Sequence, residues 1–125
     1  QIIEKFKDGA ISYTRIYALK NGKYYLLEEL KTLDSDLNLS IVYSGKSPIF
    51  SLKNDSNQLI KDIEVSSSKA YFFDENLVKT KSYIVRGDKV TVNNLMKKNN
   101  LIYMKVEFQS KNKITKGYIK LSDIL

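Results

Sequence analysis

The chain has 125 residues and a formal net charge of +7, with 42% hydrophobic and 28% charged side chains and a single Pro. This composition is typical of a folded protein and excludes a disordered tail. His and Cys are both absent, which excludes Ser-His-Asp and Cys-His catalysis, zinc held by imidazole or thiolate, and any disulfide. No apolar run is long enough to cross a bilayer as a helix.

The positive charge is concentrated in the second half of the chain. Residues 1–64 contain nine Lys and Arg against nine Asp and Glu, whereas residues 65–125 contain twelve against five. The two halves therefore present different surfaces to a partner. Three consecutive Ser within residues 65–69 lie where the balance changes, and we expect the joint between two lobes, 1–64 and 69–125, at this segment.

The first lobe is predicted to be a series of β-strands. Residues 11–19 alternate before Asn21-Gly22, a dipeptide that tolerates positive φ at both positions of a tight turn. The pattern predicts a hairpin whose second strand starts at Lys23, although the Leu spacing over residues 24–33 also fits a helix. Further short apolar runs follow, each of strand length and bounded by turn-forming residues. We therefore expect an N-terminal β-meander or small sandwich.

The second lobe shows an ordered set of strand signals. Residues 69–75, KAYFFDE, predict a first strand, and residues 83–92, YIVRGDKVTV, place a Gly-Asp corner between two β-forming runs. Residues 101–108 alternate apolar and polar side chains, and the last strand contains residues 117–119, GYI. An all-β lobe is therefore expected.

The corner Arg86-Gly87-Asp88 has two interpretations. A receptor-binding tripeptide requires a long exposed loop, whereas β-forming runs flank this one closely on both sides. Gly87 would permit a backbone corner that residues with a Cβ disfavour, and Asp88 would cap that turn with its side chain. We interpret the tripeptide as a signal of the fold, since short motifs have a high false-positive rate.

These elements resemble the bacterial SH3-like (SH3b) domain over residues 69–125. In that family a Tyr-Leu-Val-Lys-Gly-Asp-Lys-Val segment precedes a Trp-x-Lys-Val-x-Tyr strand, and a Gly-Trp-Ile strand ends in a turn carrying Asp-Leu. The matching positions are Tyr83, Val85, Gly87, Asp88, Lys89 and Val90, then Tyr103, Lys105, Val106 and Phe108, then Gly117, Tyr118, Ile119, Asp123 and Ile124. Tyr stands at both Trp positions of the pattern. The resemblance implies a five-stranded, partly open barrel. We expect the first lobe to pack on it, because the segment between the lobes is too short for a flexible linker.

The resemblance also implies a shallow aromatic groove, because barrels of this class bind extended peptides or glycans with Tyr and Phe side chains. The candidate residues are Tyr71, Tyr103 and Tyr118. The alternative is that these rings fill the core or pair across strands.

A second candidate site is a group of lysines expected in or beside the turns of the second lobe. The group could bind an anionic partner such as an acidic protein, while an ordinary solvated surface is the alternative. Nucleic acid is disfavoured because this half of the chain contains a single Arg. The candidate lysines are Lys97, Lys98, Lys111, Lys113 and Lys116.

The acidic residues predict no catalytic or metal site. Glu28 and Glu29, like Asp74 and Glu75, are sequence neighbours, and neighbours on a strand point to opposite faces and cannot form a dyad. The alternating polar residues at 34–38 lack the Gly and the terminal Glu of an EF-hand loop. We expect no catalytic residue, metal or cofactor.

These features together favour a non-catalytic binding module of the bacterial cell envelope, which recognises a protein segment or cell-wall peptide through its SH3-like barrel. The alternative is an immunity or inhibitor protein that blocks a toxin or a cell-wall hydrolase. The start at Gln1 shows neither an initiator Met nor a signal sequence. We expect a mature or trimmed product in the periplasm, at the cell surface or secreted, with the cytoplasm left open.

Overall fold

The computed structural model describes all of residues 1–125, which form eleven β-strands and one four-residue 3-10 helix. The chain divides into two compact units, Gln1–Leu59 (unit 1) and Ile60–Leu125 (unit 2). Each unit contains one antiparallel sheet that does not close on itself. The all-β prediction is confirmed. No helix of the protein has the length and apolar character needed to cross a membrane.

Unit 1 is a five-stranded meander in which each strand pairs with the next along the chain. The Asn21-Gly22 hairpin is confirmed, with φ of 54° and 76° at the two turn residues, and the helix over residues 24–33 is excluded. The first strand was not predicted from the sequence, although Asp8-Gly9 is a hairpin dipeptide that marks its end. The strands are β1 (Ile2–Asp8), β2 (Ile11–Lys20), β3 (Lys23–Asp34), β4 (Leu37–Val42) and β5 (Ile49–Lys53).

Unit 2 is a six-stranded sheet with the strand order β6-β9-β10-β11-β7-β8. Residues 69–125 supply five of these strands, and β6 adds a sixth by pairing with β9. The division between the units thus precedes β6, which the sequence had assigned to the first lobe. The elements are β6 (Asp62–Glu64), β7 (Lys69–Phe73), β8 (Lys79–Val85), β9 (Lys89–Lys98), β10 (Leu101–Ser110), β11 (Lys113–Lys120) and the 3-10 helix Leu121–Ile124.

The core of unit 2 centres on the middle strands. Met104, Val106 and Ile119 are fully buried, and Val106 lies directly opposite Gly117 in the β10–β11 register. A Cβ on Gly117 would lie 2.9 Å from Cδ1 of Phe72. Glycine therefore lets β11 pass close against the Phe72 ring, which is itself buried.

The connection between β8 and β9 forces this sheet to curl. The two strands are four positions apart in the strand order, a separation of about 19 Å in a flat sheet. Only residues 86–88 join them, and three residues span at most about 14 Å between the strand ends. The chain also turns there, because the Asp88 N–H donates to the Val85 carbonyl at 3.0 Å. The sheet must therefore bend towards a partly open barrel.

The Arg86-Gly87-Asp88 corner has the predicted local structure. Gly87 has a φ of 92°, in the region that favours glycine. The Val85 N–H donates to Oδ2 of Asp88 at 2.8 Å, so the carboxylate caps the turn. The predicted turn, with Gly87 at positive φ and Asp88 as its cap, is confirmed.

The segment Val65–Ser67 forms hydrogen bonds to the Arg86-Gly87-Asp88 corner. The Val65 N–H donates to the Asp88 carbonyl at 2.8 Å, and the Val65 carbonyl accepts from the Gly87 N–H at 2.9 Å. Ser66 accepts from Nε of Arg86 at 2.9 Å through its carbonyl. The corner and this segment therefore form one hydrogen-bonded crossing.

The same segment also ties down the end of the chain. The N–H groups of Ser66 and Ser67 donate to the Asp123 carbonyl at 2.9 and 3.1 Å, and the Ser66 hydroxyl donates to the Leu125 carbonyl at 2.6 Å. Val65 is buried. The serine-rich stretch is thus an integral part of unit 2 and not the joint that the sequence suggested.

We expect Asp88→Ala to lower the free energy of unfolding by about 1 kcal/mol, because the turn loses the acceptor of the Val85 N–H. Urea unfolding measures this change. Glu75→Ala is a matched control, since it removes one exposed carboxylate from another turn of unit 2. Equal stability of the two variants would show that the Asp88 cap contributes nothing.

Candidate functional site

The five predicted lysines do not form a single site. Lys97 and Lys98 lie at the β9–β10 turn, whereas Lys111 and Lys113 lie at the β10–β11 turn. These turns are at opposite ends of β10, about 30 Å apart for a strand of ten residues. Lys116 is paired with Glu107 at 3.5 Å. All five are exposed, and the structure offers no common pocket for them.

The three predicted tyrosines occupy different environments. Tyr103 is only 8% exposed, and its ring meets that of Phe73 edge-on at 5.3 Å between centroids, so it belongs to the core. Tyr118 is half-buried, directly opposite Phe73 in the register. Tyr71 is half-buried opposite the exposed Tyr83. Of the three candidates, Tyr71 lies in the most accessible aromatic arrangement.

Tyr71 and Tyr83 form an aromatic pair on β7 and β8, in which Tyr71 is half-buried and Tyr83 is exposed. Their ring centroids are 5.5 Å apart with the planes tilted by 58°. Nζ of Lys79 lies 4.0 Å from the centroid of the Tyr71 ring, and Nζ of Lys69 lies 4.7 Å from that of Tyr83. We call these four residues the lysine–tyrosine patch.

Strand pairing explains why the four side chains meet. Opposing residues of an antiparallel pair lie on the same face, and the register sets Tyr71 opposite Tyr83 and Lys69 opposite Val85. Lys79 joins that face across a register shift between Tyr71 and Phe73. The sequence signal for this patch is an alternating Lys-x-Tyr in β7 followed by the lysine-containing strand β8. No role was predicted from the sequence for residues 76–82.

The connection between these strands is fixed by its own side chain. Oδ1 of Asp74 accepts from the N–H groups of Asn76 and Val78 at 2.9 and 3.0 Å. This Asp turn brings Lys79 back beside β7. The patch therefore sits on two strands joined by a defined turn.

The ammonium groups of the patch have no carboxylate partner. The three ion pairs of the protein are Arg15–Glu29, Lys53–Glu28 and Lys116–Glu107, and none involves the patch. Lys81 and Arg86 are also exposed on β8 and at its end. Cation–π contacts at such exposed sites contribute about 0.5–1 kcal/mol each, and they leave the positive charge available to an anionic ligand.

Unit 1 contains a cluster with a similar cation–aromatic contact, but its cation is paired with a carboxylate. Arg15 stacks on Phe6 at 4.7 Å and donates from Nε to Oε2 of Glu29 at 2.6 Å. This bond to Glu29 raises the pKa of Arg15, while partial burial, with the nearby Glu29, raises the pKa of Tyr43. The guanidinium is thus neutralised within the unit, unlike the lysines of the patch.

The grooves of the protein are weaker candidates for a binding site than the lysine–tyrosine patch. One groove of about 380 Å³ lies in unit 2 and is lined in part by Asp62, Thr91 and Glu107. Thr91 donates to Asp62 at 3.1 Å, and Glu107 pairs with Lys116, so its carboxylates already have partners. No three or more acidic side chains come close enough to hold a metal ion.

Tyr103→Ala and Tyr83→Ala should separate a core role from a surface role. Removing the buried Tyr103 ring should cost about 3 kcal/mol of unfolding free energy. Tyr83 is 46% exposed, and its removal should cost about 1 kcal/mol or less. Urea unfolding distinguishes them, and the account of the aromatic residues fails if Tyr103→Ala is the milder change.

Comparison with known proteins gives no match. No protein-family model fits the chain, and neither the curated proteins nor the solved structures include a significant relative. The resemblance of residues 69–125 to SH3-like domains therefore stays a prediction, and the function has to be proposed from the geometry.

Proposed function

We propose that unit 2 is a non-catalytic, SH3-like binding module that recognises an acidic polypeptide segment through the lysine–tyrosine patch. The observation that carries this proposal is the pairing of the exposed Tyr83 ring with the half-buried Tyr71 ring, each under a lysine ammonium that lacks a carboxylate partner. Tyrosine rings supply a rigid apolar surface at small entropic cost. The lysines supply the charge that selects carboxylates.

The composition supports a binding role. The chain has no His or Cys to act as a nucleophile or a general base near neutral pH. Unit 2, residues 60–125, contains thirteen Lys and Arg against seven Asp and Glu, and this excess of positive charge favours encounter with anionic partners. The resemblance to bacterial SH3-like domains further supports a place in the cell envelope, in the periplasm or at the surface.

The position and small area of the patch favour an extended polypeptide segment as the ligand over a cell-wall glycan or a folded enzyme. It lies on β7 and β8, at one margin of the sheet, and presents a small surface with no deep cavity. A short extended segment can cover such a surface. An inhibitor of a toxin or hydrolase would use the same lysines against a folded acidic partner, and that alternative predicts no binding of isolated peptides.

Charge reversal tests the proposal. The double variant Lys69→Glu/Lys79→Glu should weaken binding of a fluorescent glutamate-rich peptide by about tenfold, because the patch then repels carboxylates. The matched control is Lys97→Glu/Lys98→Glu, since each double reversal lowers the net charge of +7 by four. The control should change affinity by about threefold or less. Fluorescence anisotropy at low and raised salt measures both.

Two results would contradict the proposal. Equal weakening by both double variants would mean that the peptide responds only to net charge. Absence of binding by the wild-type protein at low salt would mean that the patch does not recognise isolated acidic segments. Melting curves of the variants, compared with wild type, control for loss of the fold.

A further inference from the structure

One edge of the unit 2 sheet is open beside the patch. In the strand order, β8 is the last strand and pairs with β7 alone. The opposite edge is β6, which has only three residues. The edge of β8, residues Lys79–Val85, is therefore the longer free edge of this sheet. Tyr83 and Val85 are exposed on it, at 46% and 43%.

The register shows which backbone groups of β8 face outward. Consecutive pairs are Lys69 with Val85, Ala70 with Ile84, and Tyr71 with Tyr83, and in an antiparallel ladder bonded and non-bonded pairs alternate. The Val85 N–H donates to the Asp88 carboxylate and the Val85 carbonyl accepts from the Asp88 N–H. Ala70 with Ile84 is thus the bonded pair. The N–H and C=O of Tyr83 then point away from β7, to the free edge.

We propose that the acidic segment binds by adding a strand to the free edge of β8. This inference rests on the proposed function and specifies its mode. A strand placed there would bond to the outward N–H and C=O of Tyr83. Every second side chain of the added strand would lie on the face of Tyr71 and Tyr83, where carboxylates meet Lys69 and Lys79.

The charge of the edge decides which strand it accepts. Lys79 and Lys81 are exposed along β8, and lysines on an edge strand oppose pairing with neutral or basic strands. A second copy of this chain would bring β8 against β8 and set these lysines close to their counterparts. An acidic strand instead gains ion pairs from the same groups. The edge therefore selects an acidic segment over self-association.

Amide hydrogen exchange of the full chain, followed by NMR, tests the strand addition. The probe is a peptide of about eight residues, a common strand length, with glutamate and threonine in alternation. At saturation the Tyr83 amide should exchange at least about tenfold more slowly, since it gains a backbone acceptor. The Ile84 amide, already bonded to Ala70, is the internal reference.

Two N-methylated forms of the same peptide give a second, independent readout. One form carries N-methyl groups at the glutamates and the other at the threonines, so each loses the N–H donors of one edge of the strand without a change in charge. Strand addition predicts that one form binds about tenfold more weakly than the other. Side-chain recognition alone predicts equal binding.

The outcomes separate the two proposals. If the peptide binds and shifts the resonances of Tyr71 and Tyr83 while the Tyr83 amide is not protected and both N-methylated forms bind equally, strand addition is overturned and the proposed function stands. If the peptide does not bind at all, both proposals fall. Protection of Tyr83 together with unequal binding of the two forms supports both.

Discussion

The crossing of two short connections is the constraint on which unit 2 depends. One connection is the Arg86-Gly87-Asp88 corner between β8 and β9, and the other is the Val65–Ser67 segment between β6 and β7. Each joins an edge strand to the strand next to the opposite edge of the sheet. Their mutual bonds, Val65 N–H to Asp88 and Gly87 N–H to Val65, hold those ends together. The curled, unclosed sheet is the consequence, because neither connection is long enough for a flat one.

The crossing also positions the candidate site. Since both backbone groups of Val85 bond to Asp88, the free edge of β8 begins at Tyr83, beside the ring of Tyr71. The corner therefore occupies one end of the edge and the Asp74 turn closes the other. A ligand strand placed between them lies next to unpaired ammonium groups, whereas the guanidinium of Arg15 in unit 1 is already neutralised by Glu29.

Local sequence signals predicted the fold better than the site. Turn chemistry identified the Asn21-Gly22 hairpin and the Gly87-Asp88 corner, because positive φ and side-chain capping are local requirements. Alternation identified most strands but missed β1, and it does not say which face another element covers. Tyr103 was therefore a candidate for a groove, although Phe73 covers it. The lysines were close in sequence but not in space, since β10 separates their turns.

Selection from a random peptide library on the immobilised full chain is the most direct test of the central claim, that the lysine–tyrosine patch recognises acidic segments. The account predicts enrichment of Asp and Glu at alternate positions with the wild-type protein, and loss of this pattern with Lys69→Glu/Lys79→Glu. A consensus without acidic residues, or the same acidic consensus from the patch variant, would contradict it.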